Sequence, residues 1–145
     1  LGLASRTIDT PDPARAVAPA VVDPRAVVGG LLSARDAALA AGDEKAIRAL
    51  YLSDSDVADV EAGLAATLAE EGTLLEGFGT DLLAFETADE RRGAFTARME
   101  VQQRAHRRTG TDGNEEFVER QVGHCVLVEV VQQGEWLIGE VTSCP

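Results

Sequence analysis

The spacing of apolar positions changes near the middle of the chain. Between Asp23 and Gly42, Val27, Val28, Leu31, Leu32, Ala34, Ala38 and Leu39 recur at the spacing of a helix face. Asp23 suits the N-cap, Pro24 the first helical position and Gly42 the stop. A short helix capped by Asp43 is expected through Ala46, Ile47, Leu50 and Tyr51. A third is expected over roughly 55–71, with Val57, Val60, Leu64 and Leu68 as its stripe and Gly72 at its end.

Beyond Gly72 the period falls to two. The run 73–87 includes LLEGFGTDLLAFET, whose glycines predict a bend or bulge. In GAFTARMEVQQRAHRR, Phe95, Ala97, Met99 and Val101 face one way, and Thr96, Arg98, Glu100 and Gln102 the other. GTDGNEE is a polar turn, and FVERQVGHCVLVEVV and EWLIGEVTSC are the last two strands. Helices first and strands after imply an α+β fold: three N-terminal helices packed on a strongly curved, antiparallel sheet, as a single domain over 25–145. Pro11, Pro13, Pro19 and Pro24 mark residues 1–24 as an arm or linker. It either joins the domain to an anchor or second domain, or packs across the fold.

Composition narrows the class. Apolar residues make up 45% of the chain, ordinary for a globular protein, and no run approaches the 18 apolar residues of a membrane span. A removed signal segment or an upstream anchor remains compatible with a chain that begins at Leu1. The net charge of -12 is concentrated: residues 51–90 carry eleven acids and no base. Such a block repels nucleic acid and anionic lipid. Asp54, Asp56 and Asp59 lack the glycine and closing glutamate of a calcium loop, and no metal or cofactor site is expected.

Cys125 and Cys144 lie on the last two strand runs. A two-residue turn at Gln133-Gly134 would set Trp136 opposite Val131, Ile138 opposite Glu129, and Thr142 opposite Cys125. Cys144 then sits one pair further along, about 7 Å away at Cα. That is far for an unstrained bridge, unless a bulge, a longer turn or a loose C-terminal tail intervenes. A disulfide is expected here, and it would place the protein outside the reducing cytosol. Two separate thiols are the alternative.

Candidate chemistry is sparse. His124 shares a face with Val122 and Val126; it is either a packed histidine or a pocket base. Asp81 would make a proton-transfer dyad with it if both faced a cavity. Alternation puts Arg104, His106 and Arg108 on one strand face, a potential anion or partner contact. Trp136 and Tyr51 are packing residues with one polar contact each, and Trp136 doubles as a candidate ligand contact. No nucleophile elbow, phosphate loop or dinucleotide fingerprint is present.

LLSARDAALAAGDEKAIRALYL, a third helix, and long strands closing in GEWLIGEV together resemble the nuclear-transport-factor-2-like superfamily, with its cone-shaped α+β fold. The resemblance covers about residues 26–142 and is greatest to small actinobacterial extracytoplasmic domains. It implies a cone with helices over one side. It transfers no catalytic role: the superfamily holds ketosteroid-isomerase-like enzymes, cyclases, hydrolases and non-catalytic binding domains. Tyr51 is the only tyrosine, which rules out a multi-tyrosine oxyanion site. The expectation is a non-catalytic extracytoplasmic domain, secreted or tethered near a membrane, that binds a protein partner or a small apolar ligand. Oligomerisation is left open. The alternative is a small-molecule isomerase, cyclase or hydratase.

Overall fold

The computed structural model describes residues 22–145. All but the last three residues of the expected arm over 1–24 lie outside the described residues. Helix α1 (Pro24–Ala41) begins where the Asp23 carboxylate accepts the Arg25 N–H at 3.1 Å. It ends at Gly42, in the left-handed region at φ 65°. A Cβ there would lie 2.8 Å from the Ala69 Cβ, so glycine also lets the end of α1 touch helix α3 (Asp56–Glu70). Helix α2 (Glu44–Arg48) is capped by Asp43, and α3 by Ser55, whose Oγ accepts the Ala58 N–H at 3.1 Å.

The buried stripe of α3 keeps Leu68 and partly buried Val57 of the one expected, but not Val60 or Leu64. Val60 is 72% exposed and Leu64 49%, while Ala58, Ala62, Ala65 and Leu68 face the core. Alanines let α3 approach its neighbours closely, which leaves no room for β-branched or leucine side chains at those positions. A pattern read from the large apolar residues therefore finds Val57 and Leu68 but misses the alanine part of the packed face.

The strand half contains seven strands: β1 (Leu74–Glu76), β2 (Thr80–Arg91), β3 (Ala94–Gln103), β4 (His106–Thr109), β5 (Glu115–Val118), β6 (His124–Gln133) and β7 (Glu135–Ser143). Three of the four expected runs are each broken in two. The pieces form a four-stranded sheet, β2-β3-β6-β7, and a three-stranded one, β1-β4-β5, both antiparallel. The chain passes from one to the other at Arg104–Ala105, so the strand layer curls rather than lying flat. Phe95, Ala97, Met99 and Val101 do alternate inward, where they meet Val128, Val130 and Ile138 beneath Val28, Leu39 and Ile47. Complete burial of Leu39, Ile47 and Val130 stabilises the fold by about 1.5–3 kcal/mol each.

A disulfide joins Cys125 to Cys144, with Cα atoms 5.4 Å apart. Two one-residue shifts bring it into register. Gln133 pairs with Glu135 across Gly134 alone, so Trp136 faces Gln132 and Ile138 faces Val130. A bulge then moves Val128 opposite Val141 and Leu127 opposite Thr142, which sets Cys144 against Cys125. The Cys144 N–H donates to the Cys125 carbonyl at 3.2 Å. The bulge sets two residues, Gly139 and Glu140, against Glu129.

Candidate functional site

Helices α1 and α3 and the inner face of the large sheet enclose a cavity of about 230 Å³. Val28, Leu31, Val101, Val128, Val130 and Ile138 make its walls apolar. Exposed His124 and Gln121 also line it, together with half-buried Gln103.

One polar cluster is built into this wall. The backbone at Leu50–Leu52 docks on β7: the Leu52 N–H donates to the Ile138 carbonyl at 2.9 Å, and the Ile138 N–H to the Leu50 carbonyl at 2.8 Å. This turns buried Tyr51 inward, and its hydroxyl donates to Glu61 Oε1. Glu61 stands one helical turn beyond Val57, so both face the cavity. Arg35 on α1 grips the same carboxylate, from Nη2 at 2.6 Å and from Nε at 2.9 and 3.0 Å. Arg35 Nη1 reaches Asp36 Oδ1 at 3.0 Å and Thr80 Oγ1 at 3.4 Å. Asp36 also accepts the Thr80 N–H at 2.9 Å and its hydroxyl at 3.0 Å, tying α1 to the start of β2.

The electrostatics follow from this pairing. Burial and the accepting Glu61 carboxylate push the Tyr51 phenol above its ordinary value. Burial opposes the Arg35 charge, but Glu61 and Asp36 outweigh it and hold the guanidinium more firmly charged than usual. With its pKa raised, Tyr51 stabilises the fold at pH values below the free phenol's ordinary pKa of about 10, and that contribution is lost as pH rises through the folded value. Because Tyr51 is the only tyrosine, tyrosinate absorbance reports it alone. It is expected to stay low in the folded protein at about pH 10–11 and to rise only together with loss of far-UV circular dichroism. Half-ionisation near pH 10 with the fold intact would contradict the Tyr51–Glu61 bond.

The residues singled out from the sequence are placed differently. Asp81 does not approach His124. Thr80 lines the cavity, so Asp81 faces the other side, where Arg104 Nε at 2.7 Å and Arg120 Nη1 at 3.5 Å take its carboxylate. The dyad therefore does not form. Arg104 does not share a face with His106 and Arg108, which lie two apart on β4, because the break after Gln103 resets the alternation. Arg104 is exposed on Asp81, and half-buried Arg108 lies between Leu75 and Glu116 in the small sheet. His106 is buried edge-on against Phe78, with ring centroids 5.1 Å apart and Nδ1 3.0 Å from the Arg104 carbonyl. Trp136 packs on Phe95 at 5.5 Å and does not line the cavity. Among the described residues no cluster of His, Cys, Asp or Glu has the grouping of a metal site.

Arg35, Asp36 and Glu61 were not singled out from the sequence. One signal was available. Val28, Leu32, Asp36 and Leu39 follow one helical stripe, so Asp36 puts a charge on the buried face of an otherwise apolar helix. A charge there needs a partner.

No protein-family model matches the chain, and no curated protein matches it. Solved structures do. The intermembrane-space region of the chloroplast protein ARC6 aligns with a TM-score of 0.59 and 13% identity, over 86% of this chain and 98% of that one. Aln2 from a Streptomyces species aligns with a TM-score of 0.55 and 11% identity, over 86% of this chain and 93% of that one. At such identity the likeness is one of fold. What is shared is the helices-first, antiparallel α+β architecture.

Proposed function

We propose that this chain is a non-catalytic, extracytoplasmic binding domain whose cone holds a small apolar molecule. The observation that carries the reading is an apolar cavity whose buried ionisable groups are engaged with one another. Both Glu61 oxygens are held by Arg35 and Tyr51, and both Asp36 oxygens by Arg35 and Thr80. General acid–base chemistry needs a group within reach of the reacting proton, and these carboxylates face each other's partners instead. The disulfide supports a location outside the reducing cytosol.

A small-molecule isomerase, cyclase or hydratase is the second reading. His124, exposed on the cavity lining, is the residue that favours it.

The test is titration with N-phenyl-1-naphthylamine, a neutral dye that brightens in apolar surroundings. Saturable one-site brightening is expected with the wild type. It should be lost in Val126→Trp or Val141→Trp, both of which fill the cavity from its lining, provided circular dichroism shows the variant folded. Absence of brightening in the wild type, or brightening unchanged in a folded variant, would overturn the reading. His124→Ala is expected to leave dye affinity within a few-fold.

A further inference from the structure

We infer that the cavity selects neutral or cationic amphiphiles and excludes anionic ones, because the one cation that the described residues place in its wall, Arg35, is already held by Glu61 and Asp36. The inference rests on the reading of the cone as the ligand site, and it adds the charge class of the ligand. An apolar cavity with an arginine on its wall would ordinarily suggest a fatty acid or other carboxylate, held by the guanidinium. Here that guanidinium is already committed. Its Nε and Nη2 are on Glu61, and its Nη1 is on Asp36 and Thr80. Arg35 and Glu61 on the lining cancel in charge, and Asp36, set behind the lining on Arg35 Nη1 and Thr80, leaves the cluster as a whole one net negative. Tyr51 adds no donor for an anion, since its hydroxyl points at Glu61.

The long-range field acts in the same direction. The chain carries a net charge of -12, and the segment that supplies Tyr51, Val57, Glu61 and Thr80 has acids but no bases. An anionic head would be repelled on approach and, among the described residues lining the cavity, would find no free cation on arrival. A hydroxyl head has Gln103, Gln121 and His124 available on the same lining, and an ammonium head is favoured by the acidic segment around the cavity and by the net negative charge of the cluster behind it.

The test is displacement of N-phenyl-1-naphthylamine from the wild-type protein at pH 8 by octanol, octanoate and octylamine, which share one tail and differ only in head charge. Octanoate is expected to bind about tenfold more weakly than octanol, the size of effect one like charge exerts at partly buried distances. Octylamine should bind at least as tightly as octanol, and Val126→Trp should abolish its binding. Octanoate binding as tightly as octanol would overturn the charge selection while leaving the cavity reading in place. Failure of the dye and of all three probes to bind would remove both. Octylamine binding that survives in Val126→Trp would place the amine on the acidic surface and overturn its assignment to the cavity.

Discussion

Glu61→Ala is expected to destabilise the fold by about 3 kcal/mol, towards the low end for orphaning one partner of a buried ion pair. The low end applies because the Arg35 and Glu61 side chains keep 23% and 14% of their exposure. The loss has two parts: the Arg35 guanidinium loses its bidentate acceptor, and the Tyr51 hydroxyl loses its only acceptor in the network. At this chain length the effect corresponds to a fall in Tm of about 10 °C. Arg35→Met combined with Glu61→Leu is expected to recover part of it, since no unpaired guanidinium remains, while the Tyr51 hydroxyl still lacks its acceptor and Asp36 keeps only Thr80. Arg48→Ala provides the contrast. It breaks a 2.7 Å contact with Asp59, but those side chains are 49% and 68% exposed, and no measurable change is expected. Equal melting temperatures for Glu61→Ala and Arg48→Ala would show that the cluster does not brace the cone.

Removing the disulfide, as Cys125→Ala with Cys144→Ala, is expected to cost about 3 kcal/mol through the greater freedom of the unfolded chain. The cross-link closes a loop of sequence separation 19 and joins β6 to the end of β7. Denaturant unfolding followed by Trp136 fluorescence checks this. The midpoint should fall, and amide exchange should accelerate first around Thr142 and Ser143. An unchanged midpoint would mean that hairpin pairing alone holds the C-terminal strand.

What the sequence made legible was local. Asp23 and Asp43 cap helices because a short polar side chain next to a free backbone N–H needs no tertiary information, and Gly42 ends α1 for a reason written at one position. The inward alternation of Phe95, Ala97, Met99 and Val101 was legible too, because β3 is unbroken and buried on one face. The rest depended on tertiary contacts. The face of α3 was read only in part, through Val57 and Leu68, because alanine carries little hydrophobic signal yet packs where nothing larger fits. The Arg104–His106–Arg108 face was misread at Arg104 because one break in a strand reverses every side chain after it. The disulfide register needed both a tight turn and a bulge, and only a bulge was anticipated. The Arg35–Glu61–Tyr51 cluster draws on α1, α3 and the segment after α2, a meeting no local spacing encodes.

The claim on which the account turns is that the concave, helix-covered side of the sheet is where a ligand sits. Methyl NMR during titration with octanol tests it most directly. Saturable shifts are predicted at Val101, Val128, Val130 and Ile138, which line the cavity, with Leu127 and Leu137 unmoved on the outer face. Shifts confined to that outer face, or none that saturate, would contradict it.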